Sequence, residues 1–291
     1  MAYQLGEVIR QIRHSKKYTQ KYISGNEMSR TTYAKIEAGR MQPTVGKFMH
    51  ILEMLDMSYD EFRFIQNMYV LSGKEEIIHD FFQISTNVEC SSLTNLKSKC
   101  QKYLSIYGDN IVEDILSVAC ALILIQTENN YEKAYPYAEK IWERLSKLDN
   151  WYSTELKLIN NIFFFFPLDT GISIVKRALR ETEHFAYIKG NKSLRPAYLI
   201  NLTLLLLNNK QFDEAEIYAN QAIDECTSEK RYDLISIAYA RKGIALVNSG
   251  KKKQGMLALK KSLEICNALD QEQIAQAIRK EAMEKTGTLM V

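Results

Sequence analysis

Ser29, Arg30, Thr31, Thr32 and Lys35 place hydroxyl, guanidinium and ammonium groups within one short stretch of the chain. An arginine can grip guanine through two parallel hydrogen bonds, and a threonine can touch the thymine methyl or donate to a base edge. Gln20 and Ser29 each stand at the start of a short helical segment, where the positive helix end favours phosphate. Arg13, Lys16, Lys17 and Arg40 add the salt-dependent attraction that neutralised phosphates bring. The chemistry implied is recognition of a double-stranded DNA operator.

A second set lies far along the chain. Leu158-Ile159-Asn160-Asn161 and Leu199-Ile200-Asn201 repeat one tripeptide at a spacing of 41, and Arg241 follows Asn201 by 40. An Asn amide offers both donor and acceptor to an extended peptide backbone, and an Arg at the same repeat position can hold a carboxylate. Phe164 and Tyr198 supply aromatic walls for such a site. Four consecutive Phe, 163 to 166, cannot all face one side, so some belong to the core. The competing reading is that these Asn only satisfy carbonyls buried between helices.

No catalytic constellation accompanies either set. The four His (14, 50, 79, 184) are scattered, and the sequence contains no HExxH, Gly-rich phosphate loop or serine nucleophile elbow. An enzyme is not expected, nor a cofactor or metal. The five cysteines (90, 100, 120, 226, 266) are odd in number and lack CxxC spacing, which suits a reduced cytosol better than a disulfide framework. The charged first ten residues argue against a signal peptide, and apolar runs such as Ile115 to Ile125 fall short of the ~20 residues a spanning helix needs. No membrane partner is expected.

The elements that must position these groups are helical. With four Pro and twelve Gly in 291 residues, long helices can run almost uninterrupted, and 46% hydrophobic residues supply ample core. Leu5, Val8, Ile9 and Ile12 mark one face of a first helix. Thr19 caps a second helix ending at Ser24, Gly25-Asn26 form the turn, and Ser29 caps a third with Tyr33 and Ile36 inward and Gly39 closing it. A fourth starts at Pro43-Thr44, and Tyr59 to Leu71 reads as a fifth. Charge separates the same region. Residues 1–50 hold nine Lys/Arg against three Glu, while the rest of the chain holds 29 basic and 32 acidic residues. Affinity for a polyanion therefore belongs to the N-terminal fifth.

Beyond about residue 75 the pattern becomes a repeat. Asn130-Tyr131-Glu132-Lys133-Ala134 through Ala138 corresponds to Gln211-Phe212-Asp213-Glu214-Ala215 through Ala219, 81 residues on, with Ala178 between; Asn208 and Asn248 are 40 apart. A unit of about 40 residues built as two helices cannot bury its faces alone, so units stack into a solenoid whose inner surface is lined by the first helix of each pair. In the last unit Lys252 replaces the aromatic wedge and Gly255 the small Ala. Gln271 to Lys285 reads as a final helix, capping the array or meeting a second copy. The expected class is all-α, with a five-helix helix-turn-helix DNA-binding domain at 1–70 and an α-solenoid of tetratricopeptide-like helix pairs at 71–291.

Thr19-Gln20, Ser29-Arg30, Tyr33, Ile36-Glu37-Ala38-Gly39 and Pro43-Thr44 resemble the xenobiotic-response-element type of helix-turn-helix. Followed by a tetratricopeptide-like array, they resemble the Rgg-type, peptide-sensing regulators. The resemblance implies that Glu37 pairs with Arg10 of the first helix. It also implies a cytoplasmic homodimer that reads two half-sites, with a short hydrophobic signalling peptide held by Asn160, Asn161, Asn201 and Arg241 changing the spacing of the DNA-binding domains. Some members bridge the dimer through a cysteine in the DNA-binding domain, and this chain has none before Cys90. Two other readings stand beside this one: a dimeric repressor without a peptide, and a protein-interaction adaptor.

Overall fold

A computed structural model describes residues 3–71, 73–84, 90–185 and 193–287. Its described residues are helical, with no strand among them, and the chain divides into two compact units, Met1–Glu76 and Ile77–Val291.

The first unit contains α1 (Leu5–Ser15), α2 (Gln20–Ser24), α3 (Arg30–Glu37), α4 (Val45–Met54) and α5 (Tyr59–Gln66). Four of these begin on hydroxyl caps. Thr19, Ser29, Thr44 and Ser58 accept from the backbone N–H of Tyr22, Thr32, Lys47 and Glu61, satisfying donors that a helix start leaves open. Gly39 closes α3 at φ 70°, where a side chain would be strained. Val8, Ile9, Ile23, Tyr33, Ile36, Ile51, Leu55 and Phe62 form a fully buried core. Gly6 brings α1 against the end of α3 so closely that a Cβ there would lie 2.5 Å from the Ile36 carbonyl oxygen.

The fifth helix is shorter than its sequence suggests. It stops at Gln66 and the chain turns through left-handed Met68 and Tyr69. Met68, Tyr69 and Val70 are exposed, so this apolar run has no core to extend a helix toward.

α6 (Lys74–Gln83) crosses the boundary between units. The array continues with α7 (Cys90–Leu104), α8 (Asn110–Glu128), α9 (Tyr131–Leu145), α10 (Ser153–Asn160), a 3-10 turn (Phe163–Phe165) and α11 (Leu168–Glu183). It ends with α12 (Arg195–Asn208), α13 (Phe212–Ser228), α14 (Tyr232–Asn248), α15 (Lys252–Ala268) and α16 (Glu272–Thr286). Left-handed residues recur at the turns: Asn129, Lys210, Lys230, Gly250 and Asp270. Ala134, Ala138, Ala178, Ala215 and Ala219 are fully buried where second helices cross their neighbours. Gly255 takes that duty in α15, where α14 approaches so closely that even an alanine Cβ would collide.

α8 is longer and more apolar than the Ile115–Ile125 run suggests, and by length and hydropathy it could cross a membrane. Its side chains account for that composition. Val112, Ile115, Val118, Ala119 and Leu122 are buried in the core of the array, and Asp114 pairs with Arg144 of α9. A helix that packs a broad apolar face into the core carries such a composition.

Candidate functional site

On α3, Arg30, Thr31 and Lys35 are exposed, as is Arg40 beyond it, and none of the three basic residues makes an ion pair among the described residues. Thr32 is half-buried, with its hydroxyl 2.9 Å from that of Ser29. Ser29 is committed as the cap of α3, which fixes the orientation of the helix start.

Arg13 does not belong with these residues. Its guanidinium is buried, donating from Nε to Glu37 Oε1 at 2.7 Å, from Nη2 to Oε2 at 3.3 Å and from Nη1 to the Tyr18 carbonyl at 2.8 Å. Arg10, expected to be the partner of Glu37, is exposed instead. The reason lies in the apolar stripe of α1. Arg13 follows buried Ile9 by one turn and stands on the inner edge, while Arg10 points outward. Hydrogen bonding to Glu37, the largest effect, raises the Arg13 pKa above its already high value. Glu37 also accepts from Gln20 Nε2 at 2.6 Å. One N–H of the Gln20 amide is thereby held on Glu37.

In the second unit, Asn160, Asn161, Phe164, Asn201 and Arg241 line a single cavity of about 220 Å³. Ala197, Ile200, Asn201 and Leu204 give the stripe that α12 presents to it. Tyr198 stands off that stripe and is not a wall. It is fully buried, stacks on Phe163 and donates its hydroxyl to the Leu156 carbonyl at 2.6 Å. Phe163 is core with it, and of the two only Phe164 reaches the cavity.

Asn201 Nδ2 donates to the Asn160 carbonyl at 3.1 Å, and Asn161 Nδ2 to that of Lys157 at 2.7 Å. Arg241 Nη1 donates to the Ile200 carbonyl at 2.8 Å. These residues therefore satisfy carbonyls of the inner helices and also face a cavity, so the two readings of the recurring Asn coexist. Two further pockets, of about 410 and 670 Å³, share Tyr131 with the first and extend to Lys285 of α16. Together they make a groove along the inner helices. Burial pushes the Tyr131 pKa up and the Lys285 pKa down.

Sequence reading missed Lys157 and Arg231, two buried cations lining the same cavity. Lys157 donates to the Ile84 carbonyl at 2.7 Å, and Arg231 is held by Asp233 at 2.9 and 2.8 Å. A lone Lys inside the apolar run of α10 was the available signal. Among the described residues, no Asp or Glu lines this cavity. Among the described residues there is no group of His, Cys, Asp and Glu placed to hold a metal.

Residues 93–280 match the C-terminal domain of the HTH-type transcriptional regulator Rgg. No curated protein matches the sequence. Among solved structures, a candidate transcriptional regulator from Listeria monocytogenes EGD-e is 22% identical, with both chains covered fully and a TM-score of 0.75. The SHP pheromone receptor Rgg2 of Streptococcus dysgalactiae is 15% identical, covering 97% of this chain and 99% of that one, at TM-score 0.66. Bacillus thuringiensis PlcR, solved with the peptide PapR7 and DNA, is 18% identical over 95% and 99%, also at 0.66. At these identities the likeness establishes a shared fold.

Proposed function

The chain belongs to the Rgg family of helix-turn-helix transcriptional regulators, and from that premise we propose that it binds an operator through α3 and is controlled by a short peptide held in the groove of the array. The family is one of regulators rather than enzymes. Arg30, Thr31 and Lys35 supply base and phosphate contacts, with Thr32, Ser29 and Gln20 orienting the helix and Arg40 adding charge. A homodimer would present two copies of α3 to two half-sites.

The observation that carries the ligand half of this reading is the convergence of Asn160, Asn161, Asn201 and Arg241 on one cavity that opens into a longer groove. Amides facing a groove can pair with the backbone of an extended peptide, and apolar walls such as Phe164, Ile200 and Leu204 receive its side chains. Peptide controls DNA binding only as far as it binds one arrangement of the protein better than another. PlcR was solved with both a peptide and DNA, which supports the same division of labour here.

The test uses the full chain. Arg30→Ala with Lys35→Ala should abolish operator binding in a gel-shift assay, with each residue lowering the salt dependence by about one released counterion. Short apolar peptides titrated against wild type and Asn201→Ala should bind the variant more weakly. Unchanged operator affinity removes α3 from the DNA interface, and unchanged peptide affinity removes Asn201 from the site.

A further inference from the structure

Asn160, Asn201, Arg241 and Glu281 recur at steps of 41, 40 and 40 residues on α10, α12, α14 and α16, and they form a continuous row. Asn201 Nδ2 donates to the Asn160 carbonyl, Arg241 Nη1 reaches Asn201 Oδ1 at 3.5 Å, and Arg241 Nε reaches Glu281 Oε1 at 3.4 Å. The row of amides thus ends on a carboxylate.

The last contact is a poor one for its chemistry. A guanidinium binds a carboxylate best through two parallel bonds of about 2.7–2.9 Å. Arg241 gives Glu281 one long bond from Nε, spends Nη1 on the Ile200 carbonyl, and leaves Nη2 without a hydrogen bond among the described residues. Arg241 lines both the 220 Å³ cavity and the 670 Å³ pocket, and Glu281 lines the latter. A guanidinium with an uncommitted nitrogen therefore stands where the two spaces meet.

We propose that Arg241 is a carboxylate subsite which Glu281 occupies when no ligand is present, and that the peptide of the groove carries a carboxylate that displaces Glu281. This rests on the groove being the peptide site. Exchanging one carboxylate for another never leaves the buried guanidinium without an anion, a state that would be costly. Glu281, its side chain 22% exposed, can turn toward water as it leaves. Arg241 Nη2, which has no hydrogen bond among the described residues, favours an anionic over a neutral group at that place. The carboxylate is a C-terminus or an acidic side chain.

The experiment titrates a library of fluorescein-labelled apolar octapeptides against the full chain, Glu281→Gln and Glu281→Asp by fluorescence polarisation. The library holds matched pairs: free acid with C-terminal amide, and Glu with Gln at one internal position. The expected result is a set of binders whose neutral counterparts bind about tenfold more weakly or worse. Both variants should tighten the acid severalfold and leave its neutral counterpart unchanged. The pair that shows the loss identifies terminus or side chain. Equal binding of acid and neutral members, with Asn201→Ala weakening both, overturns the carboxylate subsite and leaves the peptide groove standing. Absence of any binder, or binders indifferent to Asn201→Ala, overturns the groove and the subsite together. Melting temperatures of the two variants establish that they are folded.

Discussion

Glu37 Oε1 accepts from Arg13 Nε at 2.7 Å, with the two side chains 4% and 10% exposed. This buried pair ties α1 to the end of α3, and so ties the scaffold of the first unit to the helix assigned to DNA. Removing one partner leaves an uncompensated charge. Arg13→Ala should destabilise the first unit by about 3–5 kcal/mol, while Arg10→Ala, at an exposed site, should stay within about 0.5 kcal/mol. The Glu37 bond raises the Arg13 pKa, so the stability it supplies is present below the ordinary arginine value and is lost only as pH climbs beyond it. Chemical denaturation of the two variants is the check, and equal effects would remove the pair from the scaffold.

Close approach of α14 and α15 depends on two glycines. A Cβ on Gly255 would lie 2.8 Å from both the Gly243 carbonyl oxygen and the Val247 nitrogen, backbone atoms that cannot move aside cheaply. Gly255→Ala should cost about 1–3 kcal/mol of stability in the second unit. Gly46 in α4 has nothing within 4 Å of its would-be Cβ, and Gly46→Ala should be neutral or stabilising by up to about 1 kcal/mol. Thermal melts showing the reverse order would contradict this packing.

These two cases also show what the sequence could and could not reveal. Caps, turns and the apolar faces of α1 to α4 were legible because they are local: a hydroxyl before a helix, a glycine after it, a period of three to four. The 40-residue repeat was legible because each unit solves the same packing problem. Which of Arg10 and Arg13 meets Glu37 was assigned by resemblance rather than from the stripe of α1, whose inner edge carries Arg13 and leaves Arg10 outward. Tyr198 was misassigned for a similar reason. Its distance from the lining stripe of α12 is a single residue, enough to rotate it from the cavity into the core. Arg231 escaped notice because nothing local distinguishes it from a solvated cation, whereas Lys157 was marked only by its place between apolar residues of α10.

Tyr198 consequently offers a separation of stability from ligand binding. Its hydroxyl adds a buried hydrogen bond to the Leu156 carbonyl inside α10, so Tyr198→Phe should cost about 0.5–1.5 kcal/mol. The cavity lining is untouched, and peptide affinity measured well below the melting temperature should equal that of wild type. A large loss of affinity without a loss of stability would return Tyr198 to the site.

Cys100 and Cys226 are fully buried, and burial pushes both thiols up to about 12. The thiolate is the reactive form, so at pH 8 the folded chain should protect both cysteines from alkylation, with labelling appearing only on unfolding. Isotope-coded alkylation read by mass spectrometry tests each position separately. Fast native labelling of either one would mean that its helix opens readily.

Asp114 sets the sign of one pH effect. It is 4% exposed, and although Arg144 donates to it from Nε at 2.8 Å, burial outweighs that attraction and raises its pKa. The folded form then binds a proton more readily than the unfolded form, whose carboxyl titrates near about 3.9. The contribution of Asp114 to stability therefore grows as pH falls through the raised pKa and levels off below the unfolded value, the reverse of an ordinary paired carboxylate. Asp114→Asn removes this titration, so the stability of wild type relative to the variant should increase between neutral pH and about pH 4. Paired urea titrations across that range measure the difference while cancelling the other carboxylates. A difference that shrinks with acidification would mean that Arg144 prevails over burial, and that α8 and α9 are joined by a pair that acid weakens.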